Sequence, residues 1–202
     1  MHYIEHLSKD KKFQPLLQGE PIELKKRKVV YMSLIGSIMS QQLSTKVAHV
    51  IHTRFLDLYG GKVPTPEQIM NTPVQTLRSI GLSNAKASYV HNVAQFAAEQ
   101  GMEKKKLDKM SNEEVIAYLT QIKGVGKWTT EMILMFTLGR EDVFAIDDWG
   151  VQSAMIKIYK LKIDDKKKLR ERLLKISSKW SPYRTYACMH LWAWKDNPPA
   201  VE

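Results

Sequence analysis

Two features of this 202-residue chain combine residue types and spacing suited to chemistry. The first is Leu119-Thr120-Gln121-Ile122-Lys123-Gly124-Val125-Gly126-Lys127-Trp128-Thr129, where two glycines flank one aliphatic residue. Glycine permits a tight turn there and leaves backbone amides uncovered by side chains. At a helix start such amides suit a phosphate; the same turn also serves as an ordinary helix connection with glycine at the C-cap. The second is Asp147-Asp148, with Asp148 placed 22 residues after Gly126. A carboxylate at a helix N-terminus is held ionised and can face a developing positive charge. Either aspartate can equally do no more than cap the helix.

The elements that must position these residues read as helices almost throughout. Val30, Leu34, Ile35, Ile38 and Met39 recur at helical spacing, and Val47, Ile51, Phe55 and Leu58 do so before Gly60-Gly61. Thr65-Pro66-Glu67-Gln68 and Thr72-Pro73-Val74-Gln75 both offer a Thr N-cap, Pro at the first helical position and Gln three residues after the cap. Ser83 opens a longer helix with Ala85, Tyr89, Val93 and Phe96 on its apolar face and Gly101 as its stop. The Lys-rich stretch 102–110 reads as a loop, and Ser111-Asn112-Glu113-Glu114 as a capping box. The hairpin leads into a helix from about Lys127 to Leu138. Further helices carry Val151, Met155 and Ile158, then Leu169, Leu173 and Ile176, and one begins at Ser181-Pro182. No hairpin dipeptide or sustained alternation marks a strand, so the expected class is all-α.

Composition narrows the function. The net charge of +10 and the runs Lys25-Lys26-Arg27-Lys28, Lys104-Lys105-Lys106 and Lys166-Lys167-Lys168 point to a polyanion, or to solvated faces that only aid solubility. One cysteine, Cys188, excludes a disulfide framework and a cysteine-ligated cluster. The chain has no apolar run of membrane-spanning length, and Met1 to Lys12 carries charges where a signal peptide needs apolar residues. A soluble intracellular protein is expected.

The hairpin followed by an aspartate at this distance resembles the helix-hairpin-helix/Gly-Pro-Asp superfamily of DNA glycosylases, and within it the AlkA-like 3-methyladenine DNA glycosylases. The resemblance extends over Ile38-Met39-Ser40-Gln41-Gln42-Leu43-Ser44, Ile80-Gly81-Leu82-Ser83 with Lys86, the hairpin with Trp128-Thr129, the Asp147-Asp148 segment, and Trp180-Ser181-Pro182-Tyr183-Arg184 through Trp192. It implies a two-lobed helical fold with the active-site cleft between the lobes. One lobe would span about 40–138, with the helix-hairpin-helix at about 111–138. The second would combine about 1–39 with 139–202.

Carried over position by position, the resemblance makes Asp148 the catalytic aspartate and Asp147 the spare. Trp128 stands where strand-cutting relatives hold a Schiff-base lysine, which implies monofunctional hydrolysis. Lys127 is one residue early and on a helix points about 100° away. Trp128 and Trp192 match base-pocket aromatics, with Met132 where some relatives have a Tyr. Gly124, Val125, Gly126, Lys127 and Thr129 form the DNA-binding hairpin. Gln42, with Leu43 beside it, is the minor-groove wedge, and Arg184 reads as an ion-pairing residue. The resemblance leaves room for Na+ or K+ on the hairpin backbone of Ile122 and Gly124, with no transition metal, no iron–sulfur cluster and no other cofactor. The implied activity is removal of 3-methyladenine or 7-methylguanine from double-stranded DNA by a monomer, in the cytoplasm of a bacterium or archaeon or in a eukaryotic nucleus. The same fold acting on hypoxanthine or a mismatched pyrimidine, and a non-catalytic DNA-binding module, are the alternatives.

Overall fold

The computed structural model describes residues 2–162 and 165–196. They are helical with no strand among the described residues, as the patterning predicts. The chain divides into two compact units: a central unit, Lys26–Ile133, and a terminal unit made of the residues before Lys26 and those from Leu134 on. The terminal unit begins with α1 (His2–Leu7) and a 3-10 turn at Gln14–Leu17.

The central unit follows with α2 (Val30–Ser40), α3 (Thr45–Asp57), α4 (Pro66–Met70), α5 (Val74–Ser79), α6 (Asn84–Gln100), α7 (Lys104–Leu107) and α8 (Asn112–Leu119). The chain then enters α9 (Lys127–Phe136), within which the division between the units falls. The lobe boundaries expected near 39 and 138 shift accordingly, because α2 packs on α3 and α6 and so belongs to the central unit. Two helix starts close as capping boxes: Thr65 with Gln68, and Ser111 with Glu114. The expected box at Thr72 does not form. Its hydroxyl donates to Gln68 O at 2.8 Å and meets Tyr59 Oη at 2.8 Å, leaving α5 without a side-chain cap. The buried stripe of α6 is Ala87, Val90, Val93 and Ala94, rotated from the expected face and leaving Ala85 exposed. On α3 only Ile51 and Phe55 are buried, while Val47 and Leu58 are exposed. The stretch expected as a loop at 102–110 holds α7 instead, because Leu107 is buried and Lys106 Nζ donates to Gln100 O and Tyr118 Oη, at 2.6 and 2.8 Å.

The terminal unit continues with α10 (Trp149–Tyr159), α11 (Lys166–Ser177), a second 3-10 turn at Ser178–Trp180 and α12 (Arg184–Asp196). Here α12 packs on α10 and on the first 3-10 turn. Tyr3 stacks on Tyr186 with ring centroids 4.1 Å apart, and the buried rings of Phe13 and Trp180 meet at 4.9 Å. The first residues of the chain thus help to close this core. Arg184 forms a two-pronged pair with Asp142 at 2.5 and 2.9 Å, in keeping with an ion-pairing residue.

Candidate active site

In the terminal unit, Asp148 is the N-cap of α10: its Oδ1 accepts from the Val151 amide at 2.8 Å. The same oxygen accepts from the Trp192 indole N–H at 2.9 Å, so α12 reaches back to fix the carboxylate. A cap is therefore present, and the indole adds a further constraint to it. Gly150 makes the approach feasible, since an added Cβ would lie 2.9 Å from Asp148 Oδ1 and 2.9 Å from Trp192 Cδ1. Trp192 in turn lies against Phe136, with ring centroids 6.0 Å apart. Asp147 is exposed and pairs with Arg170 of α11.

In the central unit, Trp128 and Met132 of α9 line a cavity of about 780 Å³ together with Gln41 and Gln42. Its floor includes Ser33, Gly36, Ser37 and Ser40, one small face of α2, and His49 and His52 of α3 also border it with Arg27. Trp128 keeps 44% of its surface exposed, so part of it is accessible from the cavity. An exposed indole face in a concave site attracts a flat cation by about 0.5–2 kcal/mol. Gln42 and Leu43 are both exposed at the end of α2, and Gln42 holds a left-handed φ of +57°.

The hairpin of the central unit is built around Gly124. Its φ is +102°, and an added Cβ would stand 2.3 Å from Tyr89 Cγ on α6. Asn92 Nδ2 pins the same turn by donating to Lys123 O at 3.0 Å. Val125 is buried and its amide closes the turn on Ile122 O at 2.9 Å, whereas the amides of Gly124 and Gly126 make no hydrogen bond among the described residues. Gly126 has open space where a Cβ would be. Thr129, expected among the DNA-binding residues, is 4% exposed, so its side chain is spent on the interior and does not present to a ligand. Lys127 is half exposed, with Nζ 3.7 Å from the buried Glu131 one turn on.

The structure thus brings Asp148 and Trp192 into contact, and sets Trp128, Met132 and Gln42 around one cavity. Sequence reading missed Gly150, the histidines at i and i+3 on α3, and Trp149, which is 66% exposed beside Asp148. The histidine spacing was visible in the chain. The need for glycine at 150 was not, because Trp192 comes from 42 residues downstream.

Residues 35–179 match the model of the HhH-GPD superfamily of base excision DNA repair proteins. Over 169 residues the chain is 37% identical to DNA-3-methyladenine glycosylase 1 of Schizosaccharomyces pombe, covering 82% of this chain and 72% of that protein. It is 36% identical over 165 residues to the alkylbase DNA glycosidase-like protein mag2 of the same organism, covering 80% and 76%. Its structure is similar to that of S. pombe 3-methyladenine DNA glycosylase in complex with abasic DNA, with a TM-score of 0.84, 31% identity and 100% of both chains covered. A DNA-3-methyladenine glycosidase from Bacillus halodurans gives a TM-score of 0.81 at 33% identity, over 95% of this chain and 88% of that one. A glycine hairpin, an aspartate held at a helix start and a family match over 145 residues agree, and the chain belongs to the HhH-GPD superfamily of base excision DNA repair proteins.

Proposed function

We propose that this protein is a monofunctional DNA glycosylase that flips out N-alkylated purines, 3-methyladenine and 7-methylguanine, and hydrolyses their N-glycosidic bond in base excision repair. The observation that carries this reading is the Asp148 carboxylate, held through Oδ1 by the Val151 amide and the Trp192 indole. The named activity of its relatives supports it. As the base departs, the deoxyribose becomes an oxocarbenium-like cation. A carboxylate already fixed in place stabilises that charge without reorganising. An alkylated purine is itself cationic and leaves neutral, so no general acid is required. Water then bonds to C1′ and gives up a proton to solvent, leaving an abasic site.

Trp128 and Met132 take the flipped base, with the electron-rich Trp128 indole favouring a cationic ring over an ordinary one. Gln42, with Leu43, fills the space that the base leaves in the stack. The amides of Gly124 and Gly126 hold a backbone phosphate. Backbone carbonyls suit a hard cation, and Gly124 O accepts no hydrogen bond among the described residues while Ile122 O retains a lone pair beyond its bond to Val125, so the donors fit Na+ or K+. Such an ion would add positive charge beside the phosphate. Strand cleavage is not expected, because Trp128 has no amine to attack the sugar. The enzyme acts as a monomer on double-stranded DNA, in the nucleoid or nucleus; no helix among the described residues is long and apolar enough to cross a membrane.

The decisive experiment incubates wild type and Asp148→Asn with alkylated duplex DNA. The expected outcome is a loss of base release on the order of 100-fold or more with retained binding to abasic DNA, and no nick in the wild-type product. Full activity of the variant removes Asp148 from the mechanism, and a borohydride-trapped adduct of the wild type overturns the monofunctional assignment. Release of hypoxanthine or a mismatched pyrimidine in preference to alkylated purines reassigns the substrate.

A further inference from the structure

Lys86 stands in the first turn of α6, yet its side chain serves another segment. Its Nζ donates to Met39 O at 3.0 Å and to Gln41 O at 2.7 Å. A cation in the first turn of a helix opposes that helix's own dipole, whereas one at a helix C-terminus is favoured. The carbonyls it reaches are those at the C-terminal end of α2, where helical partners run out. Burial moves the Lys86 pKa down. A lysine placed against its own helix and partly desolvated is therefore offset by bonds to one particular piece of backbone.

That backbone leads directly into Gln42. The Gln41 carbonyl belongs to the peptide unit that precedes Gln42, so its orientation is coupled to the Gln42 φ of +57°. Left-handed backbone is disfavoured for a residue with a Cβ and persists where the surroundings over-determine it. The surroundings here are Gln41 N to Ile38 O at 3.3 Å, Leu43 N to Ser40 O at 3.2 Å, the Ser44 cap on α3, and the two Lys86 bonds. The Gln42 side chain is exposed and has no hydrogen-bond partner among the described residues. The loop is held firmly while the side chain at its tip is left unoccupied.

We propose that Lys86 is the positioning residue of this loop: by bonding the Met39 and Gln41 carbonyls it locks Gln42 in the left-handed conformation in which it enters the gap left by a flipped base. The role rests on the glycosylase reading. It does not place Lys86 in contact with DNA.

The test uses the full chain with Lys86→Met and Lys86→Arg, on two duplexes: one with 7-methylguanine opposite cytosine, one with the same lesion opposite an abasic gap. Single-turnover base release and amide hydrogen exchange of residues 40–44 are both followed. Breaking a base pair needs the wedge, and a lesion already unpaired needs it less. Lys86→Met should lose on the order of 10- to 100-fold on the paired lesion and much less on the unpaired one, with faster exchange at 40–44 and unchanged exchange in α8. Lys86→Arg, which keeps several donors, should recover most of the paired-lesion rate. Should Lys86→Met not fold, Lys86→Gln, too short to reach both carbonyls, gives the same readings. Equal losses on the two duplexes, or unchanged exchange at 40–44, overturn the proposal. If the wild type releases no base from either duplex the glycosylase reading fails by itself, and the exchange measurement still decides the tether.

Discussion

At Gly150 a single missing methyl group governs the geometry of the Asp148 carboxylate. The backbone there is ordinary helix, so alanine would suit α10 and raise its helical propensity by about 1 kcal/mol. Its Cβ, however, would occupy the space in which Trp192 closes on Asp148 Oδ1. Gly150→Ala is therefore expected to melt at or below wild type, since overpacking of about 1–3 kcal/mol offsets or exceeds the propensity gain, while base release falls about tenfold or more, because misplacing a reacting group is costly. Thermal melts beside single-turnover assays check it, and unchanged release would show that the Trp192 bond does not matter to the chemistry. The aspartate itself was legible in the sequence as a residue opening a helix. The indole that shares its oxygen was not, since no local signal in α12 names a partner 44 residues upstream.

Helix starts were the most readable elements, because a capping box is encoded within four residues. Thr65-Gln68 and Ser111-Glu114 close as the sequence implies, and Ser83 caps α6 through Lys86 N. Thr72 shows the limit: instead of accepting from an amide of α5, its hydroxyl donates back to Gln68 O at the end of α4 and meets Tyr59 Oη, a partner that only tertiary packing supplies. Helix faces were harder, as the rotation of α6 shows, since Tyr89 reads as core yet turns its ring toward the hairpin. That contact yields a prediction for the element. Gly124→Ala must accommodate both φ +102° and a Tyr89 ring at 2.3 Å, and should cost about 1–3 kcal/mol of stability with weaker DNA binding. Gly126→Ala meets nothing within 4 Å and should melt like wild type. Denaturant melts and gel shifts of the pair check it; equal stability of the two variants would mean that the hairpin is free to move off α6.

Across the whole molecule, the excess of ten positive charges is not spread evenly in its availability. Lys104 pairs with Asp108 and Lys106 binds Tyr118, so that run is partly consumed by the fold. Lys26, Arg27 and Lys28, and Lys166 to Lys168, are exposed and form no side-chain bond among the described residues. Composition gave the charge but not this sorting. Stability has its own pH dependence. His190 is buried beside Tyr3 and Phe13, and burial holds its pKa below the usual value against a bond to the Leu16 backbone. The unfolded chain takes up that proton near pH 6.5 and the folded chain does not, so the stabilisation present above that pH is lost as pH falls. Burial raises the Asp142 pKa, but bonds from Arg184 and Ser181 outweigh this and leave it lowered, so its contribution is lost only below about pH 4. The melting temperature should therefore fall from pH 7 to pH 5 in wild type and less so in His190→Leu. Parallel curves for the two proteins in thermal melts would dismiss His190 as the source.

The terminal unit draws on both ends of the chain, while the central unit is one uninterrupted stretch. On a ribosome this imposes an order. Tyr3 and Phe13 emerge first and must wait, unburied, for Trp180, Tyr186 and His190 to be synthesised. The hairpin half of the molecule is complete long before then. The Gly124 turn thus has its Tyr89 partner well before the Asp148 carboxylate can receive the indole of Trp192.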